Sequence, residues 1–169
     1  MNTKRLTTLA LFTTISLAIY AVESAIPPLV PIPGMKLGLA NIITLILLQH
    51  FSAKDAALVL FARMLLSTLL FGQVLSLLYS LAGGILSLVI MALINKLLQS
   101  KMTCLSGAMG GLFHNMGQLM IALALTSTPG VLAYLPFLIL SGILTGLFTG
   151  LCAGFAGKYL KRNHRRHSL

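Results

Sequence analysis

Long apolar blocks, broken only by sparse charges and clusters of turn residues, run the length of this chain. A bilayer core about 30 Å thick takes roughly 20 apolar residues per helix, so the interruptions mark the boundaries of spans. Read this way, six spans are predicted, at about residues 6–26, 37–51, 56–71, 74–98, 103–125 and 132–159. A break holding Pro27, Pro28, Pro31, Pro33 and Gly34 separates the first two and contains four of the six prolines. The second span is short, a Pro129-Gly130 turn precedes the sixth, and no charged side chain occurs from Met102 to Gly157. No internal repeat or second domain is evident. The expected architecture is an all-α integral membrane protein: one six-helix transmembrane bundle over residues 1–160, then a basic tail over 161–169.

Composition agrees and excludes more. Of 169 residues, 57% are hydrophobic and 8% charged, where a soluble domain carries about 25% charged residues and needs them to cover its surface. Glu23 and Asp55 are the only acids, against twelve Lys and Arg. That leaves no carboxylate-rich Mg²⁺ or Ca²⁺ site and no carboxylate pair for glycoside hydrolysis unless these two meet. The net charge of +10 suggests a polyanionic partner until position is considered. With both termini cytoplasmic, the inner segments hold Lys4, Arg5, Lys54, Lys96, Lys101, Lys158, Lys161, Arg162, Arg165 and Arg166, ten of the twelve cations. Only Lys36 falls in an outer loop, and Arg63 lies within the third span. The charge therefore sets orientation in a bacterial-type cytoplasmic (inner) membrane; the tail would touch anionic lipid, and no nucleic-acid partner is expected. The first span is read as retained, not as a cleaved leader, because it is long, carries a glutamate near its end and is needed for the charge alternation. Cys104 and Cys152 lack metal-like spacing and read as buried packing residues, so neither a metal nor a cofactor is expected.

Ionisable groups within a bilayer are costly and mark candidate sites. The topology places Glu23 near the outer end of the first span and Asn41 near the outer surface, about one turn into the second helix. Arg63 falls near the middle of the third span, and His114, Asn115 and Gln118 extend from the midplane outward on the fifth. Gln73 and Tyr79 mark the outer junction of the third and fourth spans. Polar side chains from different helices thus share one depth. His114 and Gln118, four apart, share a helix face, with Asn115 displaced by about 100°; Arg63, Ser67 and Leu70 share another. Such a set suits a small polar ligand, with Arg63 and His114 as donors, amides as orienting groups, and Glu23 as ligand contact or as partner of Arg63. A buried Glu23–Arg63 pair with inter-helix amide bonds would equally serve packing.

The break opens a helix of only about fourteen residues, whose unpaired N–H groups and positive dipole end would face a cavity beside Lys36. That arrangement fits a carboxylate or phosphate bound from outside; a plain external loop with Lys36 in water is the alternative. On the sixth span Gly142, Gly146, Gly150 and Gly154 form a stripe that permits close helix approach, within the bundle or onto a membrane partner. Smaller stripes occur at Ser76, Ser80 and Gly84, at Gly107 and Gly111, and at Ala21 and Ala25.

No phosphate-binding Gly-x-x-x-x-Gly-Lys-Ser/Thr loop, nucleophile elbow or Cys/His pair is present. The segments Pro31-Ile-Pro-Gly-Met-Lys-Leu-Gly-Leu-Ala-Asn-Ile42 and Phe61-Ala-Arg-Met-Leu-Leu-Ser-Thr-Leu-Leu-Phe-Gly72 resemble the bacterial membrane family known as Gx transporters or heptaprenyl diphosphate synthase component I. That family is similar to the substrate-binding S components of energy-coupling factor (ECF) transporters. The resemblance implies six helices, an outward-facing pocket for a small-molecule substrate, and docking onto a transmembrane coupling protein with cytoplasmic ATPases. S components carry an Ala-x-x-x-Ala docking motif on the first helix; Ala21-Val-Glu-Ser-Ala25 has those letters near the outer end. Prenyl diphosphate synthases hold Mg²⁺ with two Asp-rich motifs, and one aspartate cannot supply them. The chain is therefore expected to be non-catalytic: a transporter's substrate-binding subunit or, alternatively, an accessory subunit in isoprenoid diphosphate synthesis.

Overall fold

The computed structural model of the chain describes residues 3–26, 35–71, 74–98 and 102–166. The proline-rich break, Gln73, Lys101 and the side chains of the basic tail lie outside the described residues. The fold is all-helical: α1 Thr3–Ser24, α2 Asn41–His50, α3 Ala53–Phe71, α4 Val74–Leu97, α5 Thr103–Thr126, a 3-10 segment Pro129–Tyr134, and α6 Leu135–Arg166. In a bilayer each backbone N–H and C=O must be satisfied within the segment, which is why apolar sequence of this length becomes helix. Four stretches, Thr3–Ser24, Val74–Leu97, Thr103–Thr126 and Pro129–Tyr159, are long and apolar enough to cross a membrane. Large apolar side chains point outward, Leu69 at 80% exposed among them, while the interior holds Glu23, Arg63, Asn41, His114 and Gln118. Such a surface suits hydrocarbon as its solvent.

The second helix departs from expectation. It begins at Asn41 and spans ten residues, a rise of about 15 Å or half the bilayer core. Asn41 is thus its first residue, and Leu37–Ala40 form a turn ahead of it. Its Ile43, Leu45, Ile46 and Leu47 are all buried, because α2 packs against every other helix of the bundle. A short helix that is apolar all round is a core element; the unfilled depth at its N-terminal end leaves room for polar groups.

The sixth span also differs at both ends, with a 3-10 turn before Leu135 and helix continuing to Arg166. The glycine stripe is used inside the molecule. Gly107 and Gly111 of α5 meet the backbone of Gly142, Gly146 and Gly150, so that a Cβ at Gly111 would collide with the Gly142 carbonyl. The same stripe ends at Asn115, whose amide donates to the Leu138 carbonyl at 2.8 Å and the Ser141 hydroxyl at 3.1 Å. Only Gly154 makes no closer than ordinary contact. On α1, Ala21 is half-buried, whereas Ala25 is exposed and lies one residue past the helix end.

Candidate binding cleft

The inner face of α1 carries buried Leu9, Thr13, Ser16, Tyr20 and Glu23, spaced by four and three as one helical face requires. This register brings Tyr20 and Glu23 to the N-terminal end of α2. There the Glu23 carboxylate accepts hydrogen bonds from the N–H groups of Gly38, at 2.6 Å to Oε1, and Leu39, at 3.0 Å to Oε2. The positive end of the α2 backbone, expected to face a ligand, is therefore met by the protein's own carboxylate. Gly38 makes the turn possible: its φ is +82°, and a Cβ there would sit 2.7 Å from Cδ2 of His114. Both conditions select glycine.

Residues 35–40 form a strap across the end of the bundle. Met35 is buried in an apolar cluster with Tyr79, Leu119, Ala122, Val131 and Leu138. The Lys36 backbone N–H donates to Gln118 Oε1 at 3.3 Å, its ammonium donates to the Ser24 hydroxyl, and its Nζ lies 3.6 Å from the Tyr20 ring centroid. The Tyr20 hydroxyl in turn meets Ser76 at 3.1 Å. On the far side Arg63 is 4% exposed, with its guanidinium carbon 5.6 Å from the same ring. Two cations thus face one aromatic ring, a favourable but modest interaction.

The strap and helices border a partly open cleft of about 210 Å³ lined by Tyr20, Glu23, Lys36, Gly38, Ala40, Asn41, Arg63, Ser80 and His114. Its enclosed part has room for about one water molecule. Among the described residues, Arg63 makes no ion pair or hydrogen bond, since the ion pair present is Arg5–Asp55. Glu23 and Arg63 make no direct ion pair, although they lie close enough for their charges to act on each other. The Asn41 amide nitrogen is buried and also without an acceptor. Each Glu23 oxygen takes one strap N–H, and the cleft's two cations exceed its one carboxylate.

Five of the seven candidate ligand residues, Glu23, Lys36, Asn41, Arg63 and His114, line this cleft; Gln118 and Asn115 do not. Gln118 acts behind it. Because its oxygen takes the Lys36 N–H, its NH₂ faces His114 Nε2 at 2.8 Å. Nε2 must then be the acceptor, placing the imidazole proton on Nδ1, which lies against Gly83 of α4 with no acceptor in hydrogen-bonding geometry. Both ring nitrogens are turned onto protein, so His114 lines the cleft without offering a donor to it. Asn115 serves the α5–α6 contact instead. The sequence reading missed Tyr20, Gly38 and Ser80 as cleft residues. Tyr20 was accessible in principle, being three residues from Glu23 on one face; Gly38 was not, because its closeness to His114 arises from tertiary packing. No cluster of metal-ligating side chains occurs among the described residues, and both cysteines are free.

The profile of the heptaprenyl diphosphate synthase component I family matches residues 12–156, which include every residue of the cleft. The chain belongs to that family. No curated protein and no solved structure matches it. The family name denotes a component of a synthase, and in this chain the polar cleft lies among membrane-type helices.

Proposed function

We propose that this family member is a substrate-binding, multi-pass subunit of a transporter, similar to an ECF S component, that takes up a small anionic solute from the outer face of a bacterial-type cytoplasmic membrane. The reading includes six spans, α2 being the short one, with residues 1–160 in the membrane, both termini inside and 161–169 as a basic cytoplasmic tail. The single observation that carries it is Arg63: a buried guanidinium that, among the described residues, makes no direct ion pair or hydrogen bond, set in a cleft beside an unpaired Asn41 amide. Burying a charge without direct hydrogen-bonding partners costs several kcal/mol, and retaining one is intelligible where a ligand supplies the contacts. The charge distribution, ten cations on one side and Lys36 alone in the outer loops, supports the orientation. Energy would come from a separate coupling protein with cytoplasmic ATPases.

The family name favours a second reading: a non-catalytic membrane accessory subunit for isoprenoid diphosphate synthesis, with Lys36 and Arg63 meeting a diphosphate. Two measurements separate them. Native mass spectrometry of the purified protein identifies any retained ligand, and affinity purification identifies the partner. A coupling protein with ATPases supports the transporter; a soluble synthase with bound prenyl diphosphate supports the accessory role. Unchanged affinity of a folded Arg63→Ala variant for the identified ligand would remove the cleft from both.

A further inference from the structure

Charges are so sparse in this chain that those at the cleft form a closed set. Glu23, Lys36 and Arg63 line it. Between Arg5 and Lys96 the only other charged residues are Lys54 and Asp55, at the end where Asp55 meets Arg5, and none occurs from Met102 to Gly157. Tyr20 and His114, the remaining titratable groups of the lining, add no charge: the first is a phenol bonded to Ser76, the second a neutral imidazole whose Nε2 accepts from Gln118. Two cations against one carboxylate leave a single positive charge. Glu23 and Arg63 are each 4% exposed, so the opposed pair lies deep, while Lys36 is part-exposed at the mouth.

A ligand bearing one negative charge brings this end of the molecule to neutrality. A ligand bearing two or three leaves a surplus among membrane-type helices, where uncompensated charge is costly. No further cation is at hand to absorb it, and no cluster of metal-ligating side chains among the described residues could hold Mg²⁺ beside it. Space points the same way. The enclosed part of the cleft is about one water molecule in size, so the head that reaches Arg63 must be small and the body of the ligand stays in the open part. A planar carboxylate is a compact head that still pairs with both arms of a guanidinium. We infer that the cleft selects a singly charged carboxylate, and that Glu23 sets this limit by cancelling one of the two cations. This rests on reading the cleft as an anion site, and it adds the ligand's charge, its head group and the residue that selects them. Phosphate dianions and diphosphates are disfavoured by the like charge of Glu23.

Inorganic phosphate separates charge from size, because one molecule is a monoanion below its second ionisation and a dianion above it. The full-length protein is held in neutral detergent and a chloride-free zwitterionic buffer, and dissociation constants are read from the ligand dependence of its unfolding midpoint. Phosphate affinity is expected to fall about tenfold across that ionisation. Acetate, a monoanion on both sides, reports any titration of the protein itself and should change little. Pyrophosphate should bind at least about tenfold more weakly than acetate. Glu23→Gln keeps the size and one acceptor oxygen for the strap but leaves two positive charges, so it should tighten dianionic phosphate and pyrophosphate about tenfold. A Glu23 that only holds the strap predicts weaker binding of every probe in that variant. A wild-type preference for monoanions that a folded Glu23→Gln does not shift overturns the role of Glu23; if the variant does not fold, the two charge states of phosphate decide in the wild type. Dianionic phosphate or pyrophosphate binding as tightly as acetate, and lost in Arg63→Gln, overturns the charge limit and leaves the anion site standing. Failure of all three probes to bind, or equal binding by Arg63→Gln, overturns both.

Discussion

The two acids of the chain lie at opposite ends of the α1–α3 contact, with acid and arginine exchanged between the helices: Arg5 of α1 meets Asp55 of α3, and Glu23 of α1 shares a cleft with Arg63 of α3. At the Asp55 end every group is satisfied. Asp55 accepts from Arg5 at 3.1 and 2.6 Å and from the Ser52 hydroxyl and N–H at 2.8 and 3.3 Å, while the Asp55 N–H donates to Ser52 Oγ at 3.2 Å. This reciprocal arrangement caps α3, and Arg5, half exposed, keeps water on its remaining donors. At the Glu23 end the carboxylate caps the approach to α2 and leaves Arg63 buried without a direct ion pair. The first end is optimised for stability. The second gives stability up, which fits the ligand site proposed above.

That contrast is broken or sharpened by substitution. The largest effect is expected for Glu23→Ala, which strands two amides and removes the only acid near Arg63. A loss of about 3 kcal/mol is expected from unfolding in detergent, and a loss under about 1 kcal/mol would show that these groups find other partners. Next comes a reversal of sign: Arg63→Met should stabilise the protein by about 1–3 kcal/mol, as replacement of buried charge by packed apolar atoms does. Arg5→Met should instead cost less than about 1 kcal/mol, being half exposed. Destabilisation by both variants would make Arg63 structural and erase the distinction between the ends. Ser52→Ala, removing half of the capping box, should cost about 1 kcal/mol in the same assay.

The smallest effect concerns pH. The Ser52 hydroxyl, helped by Arg5 and opposed by partial burial, holds the Asp55 carboxyl below its ordinary range. A depressed folded-state value stabilises the protein fully above the unfolded value of about 3.9 and loses that contribution as pH falls through the folded one. The unfolding midpoint should therefore stay level from about pH 7 to 5 and fall below about pH 4. Comparison with Asp55→Asn isolates this carboxyl, because the low-pH fall it causes should vanish in that variant.

Much of the cleft was legible along the chain, but the partners of its residues were not. Glu23, Lys36, Asn41, Arg63 and His114 stand out because charge and amide groups are rare in apolar sequence, and five separate signals converge on one place. Their bonds were misread where a third element intervened. Glu23 appeared to belong to Arg63 or a ligand until residues 35–40 delivered two N–H groups to it. His114 and Gln118 share a face as their spacing requires, yet they turn on each other and on Lys36. Asn115, one position away, serves α6 because the glycine stripe brings that backbone within reach. The length of α2 was overread because Leu37, Leu39 and Ala40 are as apolar as helix, while Gly38 turns the chain with a positive φ that the pattern does not announce.

The sequence by itself determined the all-helical, membrane-type class, the absence of an Asp-rich catalytic site and the identity of the few polar residues available to any site. Hydropathy and residue chemistry are properties of each segment alone, so they survive without knowledge of the neighbours. The tertiary structure decided which donor met which acceptor. Glu23 on the strap, Arg63 without a direct ion pair and the glycine stripe turned inward all follow from the rotation of each helix about its axis and from its packing against the others. Hydrogen bonds depend on distances of a few tenths of an ångström between elements far apart in the chain, which one-dimensional pattern does not encode.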